Sequence, residues 1–328
     1  MEQFLQIIIE KLKNSQANFG LLRGKMGIAL FFFQYARSMN YPYEEEYANQ
    51  LIDKIIEELE NIEHSGYATG LAGIGAGIEY LAQQGFINEN TNNILSDFDK
   101  VIHRVVSHLQ NFSIDTRNGI TGYGKYYLAR MSNPTNYGKT NSSVEIIKTQ
   151  LIKIVDLLSA SYGGYAGIYS VIDFLPDVID LGINKEKAVI YLNYAIDILE
   201  TTVYEDVFSG KFPIAFNPLI AAALLFRAAG KTGNSDLRVR ALDFLERYEV
   251  DYRQYLSEKQ AIQWAFLYQF LWEACDSSVY KELSNQWLEK ITDDSFNLEL
   301  GDLIISGMML LSMNKRIEDE WLSWFPIY

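Results

Sequence analysis

The stretch Gly66-Tyr-Ala-Thr-Gly70-Leu-Ala-Gly73-Ile-Gly75 decides the fold, because its glycine spacing returns along the chain. Gly20-Leu-Leu-Arg-Gly24-Lys-Met-Gly27 has the same spacing 46 residues earlier. Asp115-Thr-Arg-Asn-Gly119-Ile-Thr-Gly122 keeps the last two glycines, and Gly164-Tyr-Ala-Gly167 follows 45 residues after Gly119. Each copy precedes an apolar stretch. A fixed period of this length indicates a repeated supersecondary unit.

The same stride continues in three weaker copies, which keep the apolar run and lose most of the glycines. These copies are Asn217–Phe226, Trp264–Leu271 and Gly301–Met309. Amphipathic stretches with a helical period near 3.6 residues lie between the seven apolar runs. They cover about 2–13, 44–60, 91–110, 143–158, 185–203, 235–249 and 278–290. No stretch alternates with a period of two, so no strands are expected.

This pattern predicts an all-α protein built from seven helical hairpins, each an outer amphipathic helix followed by an inner apolar one. A helix that is apolar nearly all round must be buried. Seven such helices ringed by seven amphipathic ones form an α/α toroid, a double helical barrel. An open solenoid would need polar capping repeats, but the apolar runs at 28–33 and 303–311 match the central ones. We therefore predict one closed domain over residues 1–328.

Composition excludes several classes of function. The 328 residues carry 42 Asp and Glu against 28 Lys and Arg, a net charge of −14, which argues against nucleic-acid binding. A single cysteine excludes a disulfide framework and a multi-thiolate metal site. The first residues lack the basic region of a signal peptide, and no apolar run reaches the roughly 20 residues that span a bilayer. We expect a cytoplasmic protein without membrane insertion.

The glycines also indicate where function lies. Glycine inside a helix lowers helix stability by about 1 kcal/mol relative to alanine. Close approach of neighbouring inner helices would be a sufficient reason for glycine at these positions. Seven inner helices starting on one side would direct their N–H groups and partial positive charges to one rim. Arg23, Lys25, Arg117 and Lys125 lie in or beside the motif loops. We therefore expect a locally positive mouth that carries the function.

Gly66–Gly75 and Gly119-Ile-Thr-Gly-Tyr-Gly124 resemble the repeat signature of the lanthionine synthetase C-like (LanC-like) family. The resemblance extends over essentially the whole chain and is strongest in repeats one to four. It implies an α/α toroid of seven inner and seven outer helices, in agreement with the periodicity. The cyclases of this family use zinc to activate a peptide cysteine thiol. That thiolate adds to dehydroalanine or dehydrobutyrine and closes a thioether ring.

The resemblance also implies where the zinc ligands would fall, and this sequence lacks them. The family's first cysteine falls on Ala265, and its Cys-His-Gly segment reads Glu299-Leu300-Gly301 here. The fourth-repeat histidine of the cyclases falls on Gly163. We interpret the sole cysteine, Cys275, as a small hydrophobic residue. We interpret the three histidines as structural residues as well; they are His64, His103 and His108. We expect neither a metal nor another cofactor.

One residue of the family's site is retained. Asp115 stands four residues before Gly119, where the cyclases carry an acid that is a candidate proton donor or acceptor during ring closure. A carboxylate in a partly desolvated cavity suits that role. Asp115 is therefore our candidate catalytic residue. A loop-capping or Arg117-paired role stays equally open, since Asp also caps helix starts.

The candidate substrate-binding residues lie in the motif loops and around the expected mouth. Aromatic side chains there suit an extended peptide with Ser, Thr and Cys side chains, although aromatics at helical spacing are also typical of a core. The candidates are Arg23, Lys25, Tyr67, Thr69, Arg117, Asn118, Tyr162, Trp264 and Glu299.

Three functions fit these observations. The first is a zinc-free LanC-like protein that binds a precursor peptide of a lanthipeptide-type pathway in the toroid mouth. It would assist cyclisation or partner enzymes such as a dehydratase. The second is an active metal-independent lanthionine cyclase that uses Asp115. The third is a glycoside hydrolase-like helical barrel, in which carboxylates would act beside Trp264; its candidate carboxylates are Asp115, Asp302 and Glu299.

Overall fold

The inner layer of the protein consists of seven helices, each preceded by a loop. The computed structural model describes residues 2–109, 112–133, 142–158, 163–209, 215–315, 317, 321–322, 324–326 and 328. Tyr162 lies outside the described residues. Within these ranges the inner helices are α2 (Lys25–Met39), α4 (Leu71–Gln83), α7 (Ile120–Ser132), α9 (Tyr165–Asp180), α11 (Pro218–Thr232), α14 (Ala261–Cys275) and α16 (Leu300–Met313).

The inner helices form a closed ring. Each packs against the next inner helix along the chain, and α16 packs against α2. Backbone hydrogen bonds join the loops before consecutive helices: Leu22 N–H to the Ala68 carbonyl (3.0 Å) and Ala68 N–H to the Arg117 carbonyl (2.9 Å). These helices therefore begin at one rim, which we call the mouth. The space that the ring encloses is the lumen.

The outer layer consists of amphipathic helices that pack against the inner ones. They are α1 (Glu2–Lys13), α3 (Pro42–Glu57), α6 (Ser96–Ser107), α8 (Ser142–Leu157), α10 (Lys185–Phe208), α12 (Asp236–Phe244) and α15 (Ser278–Glu289). Two short helices, α5 (Thr91–Ile94) and α13 (Val250–Tyr252), complete the helical elements with several single turns. The described ranges contain no β-strand. The predicted all-α toroid with two helical layers is thus confirmed.

The pairing of the two layers differs from the expected order within a hairpin. Helices α3, α10, α12 and α15 each pack most extensively on the inner helix that precedes them in the chain. Helix α1 has no inner helix before it and packs against α16. The hairpin is therefore inner then outer, because the short turns follow the inner helices. Helix α1 spans the seam at which the ring closes.

Local sequence explains the helix limits, as α11 illustrates. The Asn217 side chain caps its start by accepting the N–H groups of Leu219 (3.0 Å) and Ile220 (3.2 Å), and Pro218 occupies the first helical position. The helix ends at Gly233, whose φ of 68° is left-handed and suits glycine. Asparagine, proline and glycine thus delimit an apolar run.

Burial follows the two layers. In α2 every residue from Met26 to Ala36 is buried, since that helix is covered on all sides. In the outer helix α3 only one stripe is buried, formed by Ala48, Leu51 and Ile55. No helix in the described part of the chain is long and apolar enough to cross a membrane.

The closing residues of the sequence lie inside the ring. Trp321 packs on Phe266 of α14, with ring centroids 5.7 Å apart, and Trp324 packs on Tyr80 of α4 at 5.3 Å. We call the described residues 321–322, 324–326 and 328 the lumen segment. It runs toward the mouth, where Tyr328 contacts Tyr169 of α9. The lumen of this toroid is therefore occupied by its own chain.

Candidate functional site

The loops before α2, α4 and α7 share one backbone geometry. In each, the first helical N–H donates to a carbonyl seven residues earlier: Lys25 to Asn18 (2.7 Å), Leu71 to His64 (3.0 Å) and Ile120 to Ser113 (2.8 Å). The helix starts therefore satisfy some of the N–H groups that a helix otherwise leaves unpaired. The mouth offers fewer open helix ends to an anion than the sequence suggests.

The glycines of the motif face their own loops. A Cβ on Gly73 would overlap the carbonyl oxygen of Tyr67, and a Cβ on Gly122 would overlap that of Thr116. Contact between inner helices, which the sequence suggested as the reason, occurs at deeper glycines. Gly124, for example, lies against the ring of Phe174. The motif glycines thus allow the loop to fold back onto the first turn of its helix.

The cations of the motif loops are partly neutralised. Arg23 forms an ion pair with Glu299 at 3.3 Å, so these two predicted residues lie together. Lys125 is buried and pairs with Asp173 at 2.7 Å, inside the lumen rather than at the mouth. Lys25 lies over the ring of Phe19, 4.2 Å from its centroid. The positive surplus expected at the mouth is therefore smaller than the four cations suggest.

Asp115 caps its own loop. One carboxylate oxygen accepts the N–H of Asn118 at 2.9 Å, and the other accepts the hydroxyl of Ser113. This geometry agrees with the loop-capping interpretation, because both oxygens have local donors. The side chain is also half-buried in the wall of a cavity, where a proton acceptor could meet a bound group.

Two cavities of about 430 Å³ each open at the mouth. The first lies between the loop before α7 and the start of α9, and its wall includes Asp115, Arg117 and Ser170. The second lies over the starts of α14 and α16, and its wall includes Arg117 and Trp264. Arg117 and Tyr328 line both. The two cavities are therefore neighbours separated by this pair of residues.

The second cavity combines aromatic and charged groups. Tyr252, Tyr255 and Lys259 lie in its wall opposite Asp302. Partial burial raises the pKa of the Asp302 carboxyl, an effect that the nearby Arg117 opposes. The two tyrosines and Lys259 carry no signal in the sequence, because they lie on short turns outside the repeat motif.

The other predicted substrate residues have structural partners as well. Tyr67 is buried, and its hydroxyl donates to the carbonyl of Trp324 at 2.9 Å. Trp264 is buried too; its indole N–H donates to the carbonyl of Ser257 at 3.0 Å. Thr69 is half-buried with its backbone against Gly20, whereas Asn118 is exposed. Of these four, only Trp264 is among the residues that line a cavity, so their substrate roles stay predictions.

A charged cluster in the lumen was missed by the motif analysis. Asp173 of α9 forms ion pairs with Lys125 of α7 and Arg227 of α11. Asp173 also accepts the hydroxyl of Tyr328 at 3.0 Å. Burial alone would raise the pKa of Asp173, but Lys125 and Arg227 outweigh it and hold this pKa below its ordinary value. The carboxylate stays charged at neutral pH.

The positions that correspond to the family's zinc ligands do not fit a metal. Ala265 is buried and offers only a methyl group, and Leu300 has no donor atom. Glu299 is exposed and engaged by Arg23. Among the described residues no group of three His, Cys, Asp or Glu side chains is arranged to hold a metal ion. We derive no step through zinc.

Cys275 and two of the histidines make local contacts. The Cys275 thiol donates to the Leu271 carbonyl, with sulfur and oxygen 2.8 Å apart, and burial raises its pKa. His103 Nδ1 lies 2.6 Å from the Tyr127 hydroxyl, and His108 Nδ1 lies 2.8 Å from the Arg104 carbonyl. These contacts agree with the structural interpretation of all three residues.

Comparisons with known proteins agree with this architecture. A family model described as "Lanthionine synthetase C-like protein" matches residues 15–163, which hold the first three glycine motifs. The resemblance to this family is therefore confirmed over residues 15–163. Among solved structures, nisin cyclase is similar with a TM-score of 0.63 and 16% identity, over 99% of this chain and 97% of that one. That likeness shows a shared fold. No curated protein matches the sequence.

Proposed function

We propose that this protein is a zinc-independent, peptide-binding member of a lanthipeptide-type modification pathway. It binds a precursor peptide at the mouth of the toroid and assists partner enzymes such as a dehydratase. The observation that carries the proposal is the pair of mouth cavities on a LanC-like fold, with Arg117 in the wall of both. An extended peptide needs successive pockets with hydrogen-bonding groups between them, and this arrangement supplies both.

Arg117 is the sharpest test of this proposal. It is exposed, lies in the wall of both cavities and donates to the backbone carbonyl of Tyr328 at 3.3 Å. A peptide that crosses the mouth would offer the same kind of carbonyl. We expect the Arg117→Ala variant to bind a fluorescein-labelled precursor peptide with Ser, Thr and Cys in its core roughly tenfold more weakly, from the loss of charged hydrogen bonds. Fluorescence anisotropy measures this.

The matched control is Arg238→Ala, which removes the same charge from an exposed position on the outer helix α12. Its affinity should equal that of the wild type. Equal losses in both variants would indicate unspecific charge attraction, and no loss in either would refute a peptide site at the mouth.

A metal-independent cyclase is the second candidate, favoured by the place of Asp115 in the wall of the first cavity. In this reaction the Asp115 carboxylate takes the proton of a peptide cysteine thiol. The thiolate sulfur bonds to the β-carbon of dehydroalanine, the double-bond electrons move to the α-carbon, and the carboxyl returns its proton there. The step is weaker chemistry than zinc activation, since a free thiol has a pKa near 8.5.

Thiol alkylation and mass spectrometry of a dehydrated, Cys-bearing peptide separate the two candidates. A cyclase protects the thiol without a change in peptide mass; a binding protein leaves it reactive. We expect a cyclase to keep its rate in a metal chelator and to lose at least 100-fold in the Asp115→Asn variant. If the variant reacts like the wild type, Asp115 only caps its loop.

The glycoside hydrolase alternative finds little support in this geometry. Asp115 lies on the first cavity, whereas Asp302 and Trp264 lie on the second. Glu299 pairs with Arg23. Trp264 is buried edge-on against Tyr252, at an interplanar angle of 86°, and offers no open platform for a sugar ring.

A further inference from the structure

Tyr328 occupies a site built from two separate elements, helix α9 and the loop before α7. Its hydroxyl donates to Asp173 at 3.0 Å and lies 2.9 Å from Thr116 Oγ1, which can donate in return. Its carbonyl accepts from Arg117 at 3.3 Å, and its ring lies 6.1 Å from that of Tyr169. A phenol, a carbonyl and an aromatic face are thus each recognised by a different group.

The same residue divides the mouth. Tyr328 and Arg117 are the two residues that line both cavities. Each cavity alone measures about 430 Å³, the size of a few side chains. Withdrawal of Tyr328 would join them into one groove and would open the carboxylate of Asp173 to an incoming group.

The rest of the lumen segment is held by apolar packing, since Trp321, Leu322, Trp324 and Phe325 belong to the buried core. Trp321 is fully buried, yet its indole N–H has no hydrogen-bond partner among the described residues. An unpaired buried donor is unfavourable and weakens the attachment of the segment. The polar contacts described above gather at Tyr328 and at the carbonyl of Trp324. These polar contacts use groups that a second peptide could also present.

We propose that Tyr328 fills a tyrosine-binding subsite of the peptide site, and that a peptide with a tyrosine side chain displaces it. The incoming phenol donates to Asp173, and the carbonyl of the incoming residue accepts from Arg117. This inference rests on the proposed peptide binding at the mouth, and it adds that the peptide site prefers a tyrosine side chain. The lumen segment is then a tethered competitor, present at the high effective concentration of a short tether.

The chemistry of the subsite selects tyrosine. A serine or threonine hydroxyl with its backbone beside Arg117 is too short to reach Asp173. A phenylalanine ring reaches the same depth but leaves the buried, charged carboxylate without this hydrogen bond. Such a mismatch lowers affinity strongly, because the site's own polar group then loses a partner.

The test uses a peptide copied from this chain. Fluorescein-labelled Trp-Phe-Pro-Ile-Tyr, the sequence of residues 324–328, is titrated into the wild type and into the Tyr328→Phe variant. The variant keeps the ring, which preserves the packing of the lumen. We expect it to bind the labelled peptide about tenfold more tightly, because the tethered competitor has lost its bond to Asp173. The analogue Trp-Phe-Pro-Ile-Phe should bind the Tyr328→Phe variant about tenfold more weakly than Trp-Phe-Pro-Ile-Tyr does.

Tyr43→Phe on the exposed surface of α3 is the matched control and should bind like the wild type. Equal affinity of the wild type and Tyr328→Phe, or equal affinity of the two peptides, overturns the proposal and makes Tyr328 a fixed core residue. No precursor peptide enters this experiment. Absent precursor binding in the Arg117 assay is a failure of the proposed function, whereas equal affinities here together with intact precursor binding are a failure of the subsite alone.

Discussion

Gly73 lies one turn inside α4, where the carbonyl of Tyr67 passes against its α-carbon. The loop that carries Tyr67 is thereby held onto the helix, and the same contact recurs between Gly122 and Thr116. The repeat conserves its spacing because each loop must reach its own helix start. The neighbouring repeat adds a second constraint, because a Cβ on Gly73 would also lie 2.9 Å from Leu21 Cβ and one on Gly122 2.8 Å from Tyr67 Cβ.

A methyl group at Gly73 should therefore destabilise the protein. In Gly73→Ala the new Cβ overlaps backbone, which cannot rotate away, and we expect the free energy of unfolding to fall by about 3 kcal/mol or more. Urea denaturation followed by circular dichroism measures this change.

Gly230→Ala is the matched control. Gly230 lies within α11, and no atom stands within 4 Å of the position of its Cβ. There alanine should raise the free energy of unfolding by up to about 1 kcal/mol. A lower free energy of unfolding in both variants would mean that the loop contact does not cause the destabilisation in Gly73→Ala.

The lumen cluster shows what sequence reasoning could have reached. Lys125, Asp173 and Arg227 are charges inside otherwise apolar runs, separated by 48 and 54 residues. Both separations are close to the length of the repeat, so they assign the three residues to successive inner helices. Tyr328 could not be predicted in this way, because an irregular segment has no period from which to infer its position.

Helix α1 is the element that seals the ring. Its buried residues Leu5, Ile8, Ile9 and Leu12 form one apolar stripe, and it packs against α16 at the other end of the chain. Every other outer helix has an inner neighbour close in sequence. The stability of α1 therefore depends on a contact with α16, a partner some 300 residues away in the sequence.

Ile8→Ala should weaken this seam. Ile8 is fully buried, and removal of its methylene groups should cost about 2–5 kcal/mol of unfolding free energy. Glu10→Ala, on the exposed side of the same helix, should change it by less than about 0.5 kcal/mol. Thermal unfolding of both variants provides the measurement. Similar melting temperatures for the two would show that α1 is not part of the cooperative unit.

Element type was predictable from periodicity, but element limits were not. The stretch 185–203 predicts the start of α10 correctly, whereas the helix continues to Phe208. The stretch 91–110 is split between α5 and α6, because Leu95 breaks the helix between Ile94 and Ser96. The apolar period shows neither limit, because Phe208 at the end of α10 is exposed and the turn at Leu95 interrupts the helix without ending its buried stripe.

At the scale of the whole molecule, a network of buried ion pairs connects the inner helices across the lumen. Lys125 and Arg227 face Asp173 from α7 and α11, Tyr328 and Thr116 meet there, and Asp177 and Lys231 extend the network outward. The folded pKa of Asp173 lies below its ordinary value. The ionised carboxylate therefore contributes its full stabilisation of the folded protein above about pH 4. This stabilisation is lost as the pH falls through the lowered folded pKa.

Asp173→Asn should therefore have a pH-dependent effect. At pH 7 the loss of the buried charge should cost about 3–5 kcal/mol of unfolding free energy, and the difference from the wild type should narrow below about pH 4. Urea denaturation at pH 7, 4 and 3 tests this. Asp97→Asn, on the exposed face of α6, should show no such difference. A constant difference for Asp173→Asn across the range would contradict the charged state.

The seam between α1 and α16 also governs the order of assembly. During synthesis at about 5–20 residues per second, α1 emerges well before α16 and waits tens of seconds for this partner. Through that interval its apolar stripe is uncovered. The lumen segment emerges after α16, so the ring acquires its last helix and its internal filling almost together. The ring therefore closes only after α16 has emerged, and until then the chain depends on whatever shields Leu5, Ile8, Ile9 and Leu12.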